Sequence, residues 1–209
     1  MARYSDGVCR LCRRSGEKLF LKGDRCFTPK CAVERRSTPP GKTVSRRRPK
    51  LSEYAVRLRE KQKAKWIYGL LEKQTRRYFA EAARKPGVTG QYLLQLLERR
   101  LDNAVYRLGM ADSRVQARQI INHGHIALNG RVTTSASALV KVGDAIGWRA
   151  NSLKSKYFEA RQKEVGKRAI PAWLSQDAAT VSGKVISLPK PEDSDTRIDD
   201  RLIVEYYSR

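Results

Sequence analysis

Apolar residues recur three or four positions apart through Leu93, Leu94, Leu97, Leu101, Val105 and Leu108. That spacing predicts a core-facing helix, opened by Thr89 as N-cap and stopped by Gly109. Asp112 or Ser113 then caps a shorter helix, "RVQARQIINH", which Gly124 ends. On it Ala117, Ile120 and Ile121 share one side, and Arg118, Gln119 and Asn122 share the other, with Arg114 at the border. The period next changes from helix to strand. "HIALNGRVT" reads as strand, turn and strand, because Asn129-Gly130 suits the two left-handed positions of a type I′ hairpin. "ALVKVGDAIGWRA" predicts a further strand pair around Gly143-Asp144. Two helices leading into a small antiparallel sheet make an α+β module.

Upstream, Ser52 caps a long helical stretch in which Tyr54, Leu58 and Trp66 fall on one side and Lys and Arg on the other. Gly69 divides that stretch in two, and Pro86-Gly87 ends it. The first fifty residues show no sustained period, and Pro39, Pro40 and Pro49 predict extended chain from Ser37 to Lys50. Downstream come a basic helical pattern over residues 155–170, a strand from Lys184 to Leu188, a Pro-rich acidic loop and an apolar "LIVEYY".

Charge adds what the pattern alone does not. The chain of 209 residues carries 44 Lys and Arg against 21 Asp and Glu, a formal net charge of +23. Such self-repulsion is relieved by a polyanion, and nucleic acid supplies one through phosphate contacts and counterion release. The basic excess is greatest in residues 1–50, while residues 191–209 carry three basic and six acidic side chains. No apolar run follows the basic N-terminus and none reaches membrane-span length, so the expected setting is cytoplasmic, with neither a membrane nor a small-molecule substrate.

In that setting four cysteines point to metal or free thiols rather than disulfides. Cys9 and Cys12 form C-x2-C, and after thirteen residues Cys26 and Cys31 form C-x4-C. Two close pairs across a short loop can converge four thiolates tetrahedrally, as structural zinc requires; an iron–sulfur cluster and four free thiols remain the alternatives. Four sulfur ligands leave no open position for a catalytic water.

Both histidines, His123 and His125, flank Gly124. Apart from Asp112, no Asp, Glu or Cys stands near them in sequence, so neither a metal site nor a nucleophile–base set has local support. Two readings are left: a structural corner, or one that touches RNA beside Arg114, Arg118, Gln119 and Asn122, whose groups suit phosphates and exposed base edges. Arg46, Arg47 and Arg48, with Lys61, Lys65, Arg76 and Arg77, are candidate phosphate contacts; a solvated basic face or a disordered basic linker is the bland counterpart.

"LLERRLDNAVYRLGMADSRVQARQIINHGHIALNGR" resembles the RNA-binding module named after bacterial small-subunit ribosomal protein four. That module's pattern, L-E-x-R-L-D-N, then S-R-x-x-A-R-Q, then H-G-H-x-x-x-N-G, falls on Leu97 to Asn103, Ser113 to Gln119 and His123 to Gly130. Relatives of the module occur in pseudouridine synthases, a tyrosyl-tRNA synthetase group and a heat-shock RNA binder. "MARYSDGVCRLCRRSGEKLFLKG", "PPG", "SEYAVRLREKQKAKWIYG" and "RLIVEYYSR" extend the likeness to nearly the whole chain, which resembles the ribosomal family itself in its cysteine-containing, metal-binding form. Departures are Lys42-Thr43-Val44, where most members have Q-H-G, and the stretch Val132 to Val140.

The resemblance implies a primary rRNA-binding protein that binds the 5′ domain of small-subunit rRNA and nucleates assembly of the subunit body. It also implies a place beside ribosomal protein five, a link with protein twelve in decoding accuracy, and, in some bacteria, binding to the protein's own mRNA. The expected fold is α+β: a mostly helical domain with an N-terminal metal knuckle and an inserted RNA-binding module of helices plus a small antiparallel sheet. Its expected divisions are a basic four-cysteine segment over 1–45, helices over 46–98, the module over 99–162, and a segment packing back on the helical domain over 163–209. An RNA-modifying enzyme would need a further catalytic domain, for which no room remains. A zinc-dependent DNA regulator would concentrate its charge on one face, whereas here the charge is spread along the chain.

Overall fold

A computed structural model describes residues 4–36, 38–41, 50–164, 169–177, 180–194 and 197–208. The chain divides into two compact units, one of residues 1–93 with 196–209 and one of residues 94–195.

In the first unit, α1 (Cys9–Ser15), a 3-10 turn (Gly23–Phe27) and α2 (Ala32–Arg35) form a small N-terminal fold. The helices α3 (Glu53–Ile67) and α4 (Glu72–Ala83) follow, and α9 (Asp200–Tyr207) lies against α3. Ser52 caps α3 by accepting from the Ala55 N–H. The buried stripe of α3 is Lys61, Ala64 and Ile67; Tyr54 is exposed, and Leu58 and Trp66 are half-buried. The helix is therefore turned from the orientation that apolar spacing alone predicts: α9 packs on this side of α3, and its Tyr206 and Tyr207 rings lie against the Lys61 ammonium. The N-terminal segment is not set apart from the helices: Lys63 on α3 pairs with Glu17 at 3.2 Å.

In the second unit, α6 (Leu101–Arg107) and α7 (Arg114–Asn122) pack together beside a sheet. The strands are β1 (Ile126–Leu128), β2 (Arg131–Val132), β3 (Ala145–Trp148), β4 (Leu174–Asp177) and β5 (Ser182–Val185), arranged β2-β1-β3-β5-β4 with every pairing antiparallel. Asn129 and Gly130 both have positive φ, +51° and +79°, so the first hairpin has the I′ turn that Asn-Gly favours. The core joins Leu101, Val105, Leu108, Ile121, Ile126, Ile146, Trp173 and Val185, among others. Strand β5 comes so close to α6 that a Cβ on Gly183 would lie 2.4 Å from a methyl of Leu108.

The sheet departs from the arrangement that the sequence suggests. Gly143-Asp144 does not turn a local strand pair. Residues 136–140 instead bond to the start of α6, through Leu101 N–H to the Ala138 carbonyl at 2.8 Å and Val140 N–H to the Arg99 carbonyl at 2.9 Å. The partner β3 takes on that side is β5, with Ile146 opposite Gly183. For the same reason residues 163–209 do not pack back as one segment. The strands β4 and β5 complete the module's sheet, and the return to the helical unit begins only at residue 196. The two compact units meet within α5 (Thr89–Glu98), between Leu93 and Leu94, shortly before the division expected at 98/99.

Candidate nucleic-acid interface

The motif residues that open α6 are buried and carry charge. Glu98, fully buried, accepts from Asn103 Nδ2 at 2.6 Å and from Arg107 at 2.9 and 3.1 Å. Asn103 turns its other end to α7, where Oδ1 accepts from Arg114 Nε at 2.8 Å. Beside this chain Arg100, also fully buried, makes a bidentate pair with Asp102 at 2.7 and 3.0 Å, and Arg118 Nη2 stands 3.5 Å from the same carboxylate. Buried charges persist only when paired and hydrogen-bonded, so these contacts give α7 one position on α6. Arg114 and Arg118, expected as outward RNA contacts, are thus half-buried and anchored inward; the Arg114 guanidinium also lies 4.7 Å from the centre of the Tyr106 ring. Gln119 and Asn122 remain exposed on the outer side.

The end of α7 is closed by two backbone bonds, Gly124 N–H to the Ile121 carbonyl at 2.9 Å and His125 N–H to the Ile120 carbonyl at 3.1 Å. This double closure needs a left-handed residue at Gly124, whose φ is +73°. His123 is exposed, and its ring centre is 6.2 Å from that of half-buried His125. His125 Nδ1 shares a 3.0 Å hydrogen bond with Ser152 Oγ, and the His125 carbonyl accepts from the Arg149 N–H at 2.8 Å. His125 therefore ties the helix end to the turn that follows β3. Arg149 and Lys154, both exposed, lie on that turn, and exposed Arg131 lies on the neighbouring hairpin. These three cations were not singled out from sequence. Only the sheet register brings residue 149 beside residue 125, and a lone basic residue after a strand carries no signal of its own.

In the first unit, Lys61 is 3% exposed, donates to both oxygens of Glu72 at 3.0 Å and sits 4.4 Å from the centre of the Tyr206 ring. It is a packing and ion-pair residue; its expected role as a phosphate contact is corrected, because neither its position nor its charge is open to solvent. Lys65 is half-buried and joins the same carboxylate at 3.3 Å. Arg76 is 71% exposed at 3.6 Å from Glu72, and Arg77 is exposed. Burial works against the charge on Glu72, but hydrogen bonds from Lys61, Tyr207 and Lys65 outweigh it and hold the carboxyl below its ordinary range. Arg46, Arg47 and Arg48 lie outside the described residues.

The four cysteines line one cavity of about 10 Å³ with Lys22, Arg25, Ala32 and Val33, and none is in a disulfide. Lys22 N–H points at Cys26 Sγ from 3.4 Å. Burial pushes the Cys12 and Cys26 thiols up, with backbone N–H groups of Leu19 and Lys22 acting the other way. The sulfurs surround a common space without closing on a point. Among the described residues, no group of three or more His, Cys, Asp or Glu is arranged as it stands to hold a metal ion. The donor set and the N–H groups aimed at sulfur nevertheless fit a thiolate-bound ion, since such groups stabilise sulfur that has given up its proton. No described helix is long and apolar enough to cross a membrane.

Comparison with known proteins follows this division of labour. Residues 3–98 match the family model described as ribosomal protein S4/S9 N-terminal domain, and residues 99–146 match the S4 domain. The second match ends within β3, so β4 and β5 lie beyond it. Proteins named small ribosomal subunit protein uS4 from Syntrophomonas wolfei and Halothermothrix orenii are each 54% identical over 209 residues, covering all of both chains. The protein of that name from Pelotomaculum thermopropionicum is 53% identical with the same coverage.

Proposed function

The chain belongs to the family of small ribosomal subunit protein uS4, and from that premise we propose that it is a primary rRNA-binding protein whose target is the 5′ domain of small-subunit rRNA. It is a structural component of the cytoplasmic ribosome and not an enzyme. In this reading it nucleates assembly of the subunit body and contributes to translational accuracy beside ribosomal protein five, with a functional link to protein twelve; its own mRNA is a further candidate ligand. The observation that carries the proposal is the α7 corner. A buried charge network holds the helix, its outer edge offers Gln119, Asn122 and His123, and the turn bonded to His125 carries exposed Arg149 and Lys154. Fixed amides and cations on a rigid element suit phosphates, 2′-hydroxyls and base edges of folded RNA.

Footprinting of the purified protein on full-length small-subunit rRNA tests this. Protection confined mainly to the 5′ domain is expected, with an affinity that falls steeply with salt. Absence of protection there overturns the proposal. Replacing both Arg149 and Lys154 by Ala should weaken binding and reduce the salt slope by roughly one unit for each phosphate that is no longer neutralised.

We also infer that Cys9, Cys12, Cys26 and Cys31 hold one structural zinc ion, closing on it by small side-chain rotations. The convergence of four unoxidised sulfurs and the N–H groups aimed at Cys12 and Cys26 support the reading. Elemental analysis should return about one zinc per chain, as a four-sulfur site implies, with no visible cluster absorption. Loss of metal on Cys12→Ser is the matching expectation; a metal-free wild-type protein overturns the assignment.

A further inference from the structure

We propose that Phe27 is a stacking platform for one unpaired base of the bound RNA, an inference that rests on the rRNA-binding reading above. Its ring is 72% exposed, the most exposed large apolar side chain among the described residues. Exposure of that kind is costly for a residue with no task, and this ring is held in place from beneath. Phe20 stacks on it with centroids 4.9 Å apart and planes at 28°, and the Arg197 guanidinium lies 4.9 Å from the Phe20 ring centre. Arg197 is itself fixed by donating to the Lys18 carbonyl at 2.7 Å. The guanidinium and the Phe27 ring thus both lie against Phe20, while most of the Phe27 ring stays open to solvent. Phe20 has φ +51°, a left-handed backbone that bulky residues seldom adopt, and such strain persists where the surroundings impose it.

The backbone under Phe27 is equally constrained. It closes the 3-10 turn Gly23–Phe27, directly after buried Cys26, and Thr28 locks the turn with its hydroxyl on the Arg25 carbonyl at 3.1 Å. A two-torsion side chain on a fixed turn loses little entropy when it stacks. The surrounding charge indicates the class of ligand. Lys22, Arg25 and Lys30, all exposed, stand within five residues of Phe27 in the chain, against the single acid Asp24 in that stretch. An apolar protein surface would leave those cations desolvated, whereas a nucleotide brings a planar base for the ring and a phosphate for the cations.

The test compares wild type, Phe27→Leu and Phe27→Tyr for binding to full-length small-subunit rRNA across a salt series, with base-specific chemical probing. Phe27→Leu keeps apolar bulk and removes the π face. It should weaken binding by roughly five- to a hundred-fold, the range of a missing base–aromatic stack. The salt slope should stay unchanged, and one base should regain reactivity while the remaining footprint persists. Phe27→Tyr should restore both affinity and protection. Metal content and thermal midpoint should be unaltered in each variant, because the side chain is mostly in water. Wild-type affinity and an unchanged footprint for Phe27→Leu overturn the proposal. So does a defect seen only when other small-subunit proteins are present, which would make the ring a protein contact. If wild type itself fails to bind this RNA, the rRNA-binding reading falls, and this inference with it.

Discussion

Asn103 uses both ends of its amide, giving two hydrogens to Glu98 and accepting one from Arg114. Truncation to Ala would leave a buried carboxylate short of a donor and Arg114 without its anchor. Removing one member of a buried charged network costs the desolvation of what remains, so Asn103→Ala should lower unfolding stability by about 2–3 kcal/mol. Urea unfolding measures this; a loss under about 0.5 kcal/mol, the range of ordinary surface changes, would mean that the network carries no such role. Gln119 is the converse case. It is exposed, so Gln119→Ala should leave the urea midpoint unmoved and lower RNA affinity alone. Here local reading and structure part company over the α7 arginines. Spacing places Arg118 on the polar side, but only the presence of Asp102 beneath it shows that the guanidinium faces a carboxylate.

At the level of elements, the α7 turn was legible because every signal in it is local. Ser113 caps by accepting from the Gln116 N–H, Gly124 supplies the left-handed stop, and Asn129-Gly130 makes the hairpin. Gly124→Ala should therefore lower the thermal midpoint, at a cost of about 1–2 kcal/mol for an L-residue held left-handed. A rise in the midpoint would show that the backbone relaxes freely at this position. The α3–α9 pair was not legible, because Lys61 finds its partners eleven residues away on α4 and more than 140 residues away on α9. Glu72 titrates below its unfolded value, so its stabilisation is complete above the ordinary carboxylate range and is lost as pH falls through the lowered value. Wild type should lose stability on acidification through that window, and Glu72→Gln should start lower at neutral pH and fall less. Equal pH slopes in urea titrations of the two proteins would contradict this.

For the whole molecule, a net charge of +23 opposes compaction until an anion arrives. The free protein should gain thermal stability as ionic strength rises from low to physiological values, and gain more from rRNA, which binds the folded state selectively. Scanning fluorimetry across a salt series checks this, and a midpoint that falls with salt would count against self-repulsion. Composition and the motif run from Leu97 to Gly130 indicated a basic, RNA-binding α+β chain, and the stretches Met1 to Gly23, Ser52 to Gly69 and Arg201 to Arg209 extended the likeness to the uS4 family, because each is local in sequence or additive over it. The tertiary structure decided the rest: that β3 pairs with β5, that Lys61 is buried against α9, that Arg114 and Arg118 are anchored inward, and that Arg149 stands beside His125. Those facts depend on groups brought together across tens to more than a hundred residues, where hydrophobic period and short motifs carry no information about which partner is met.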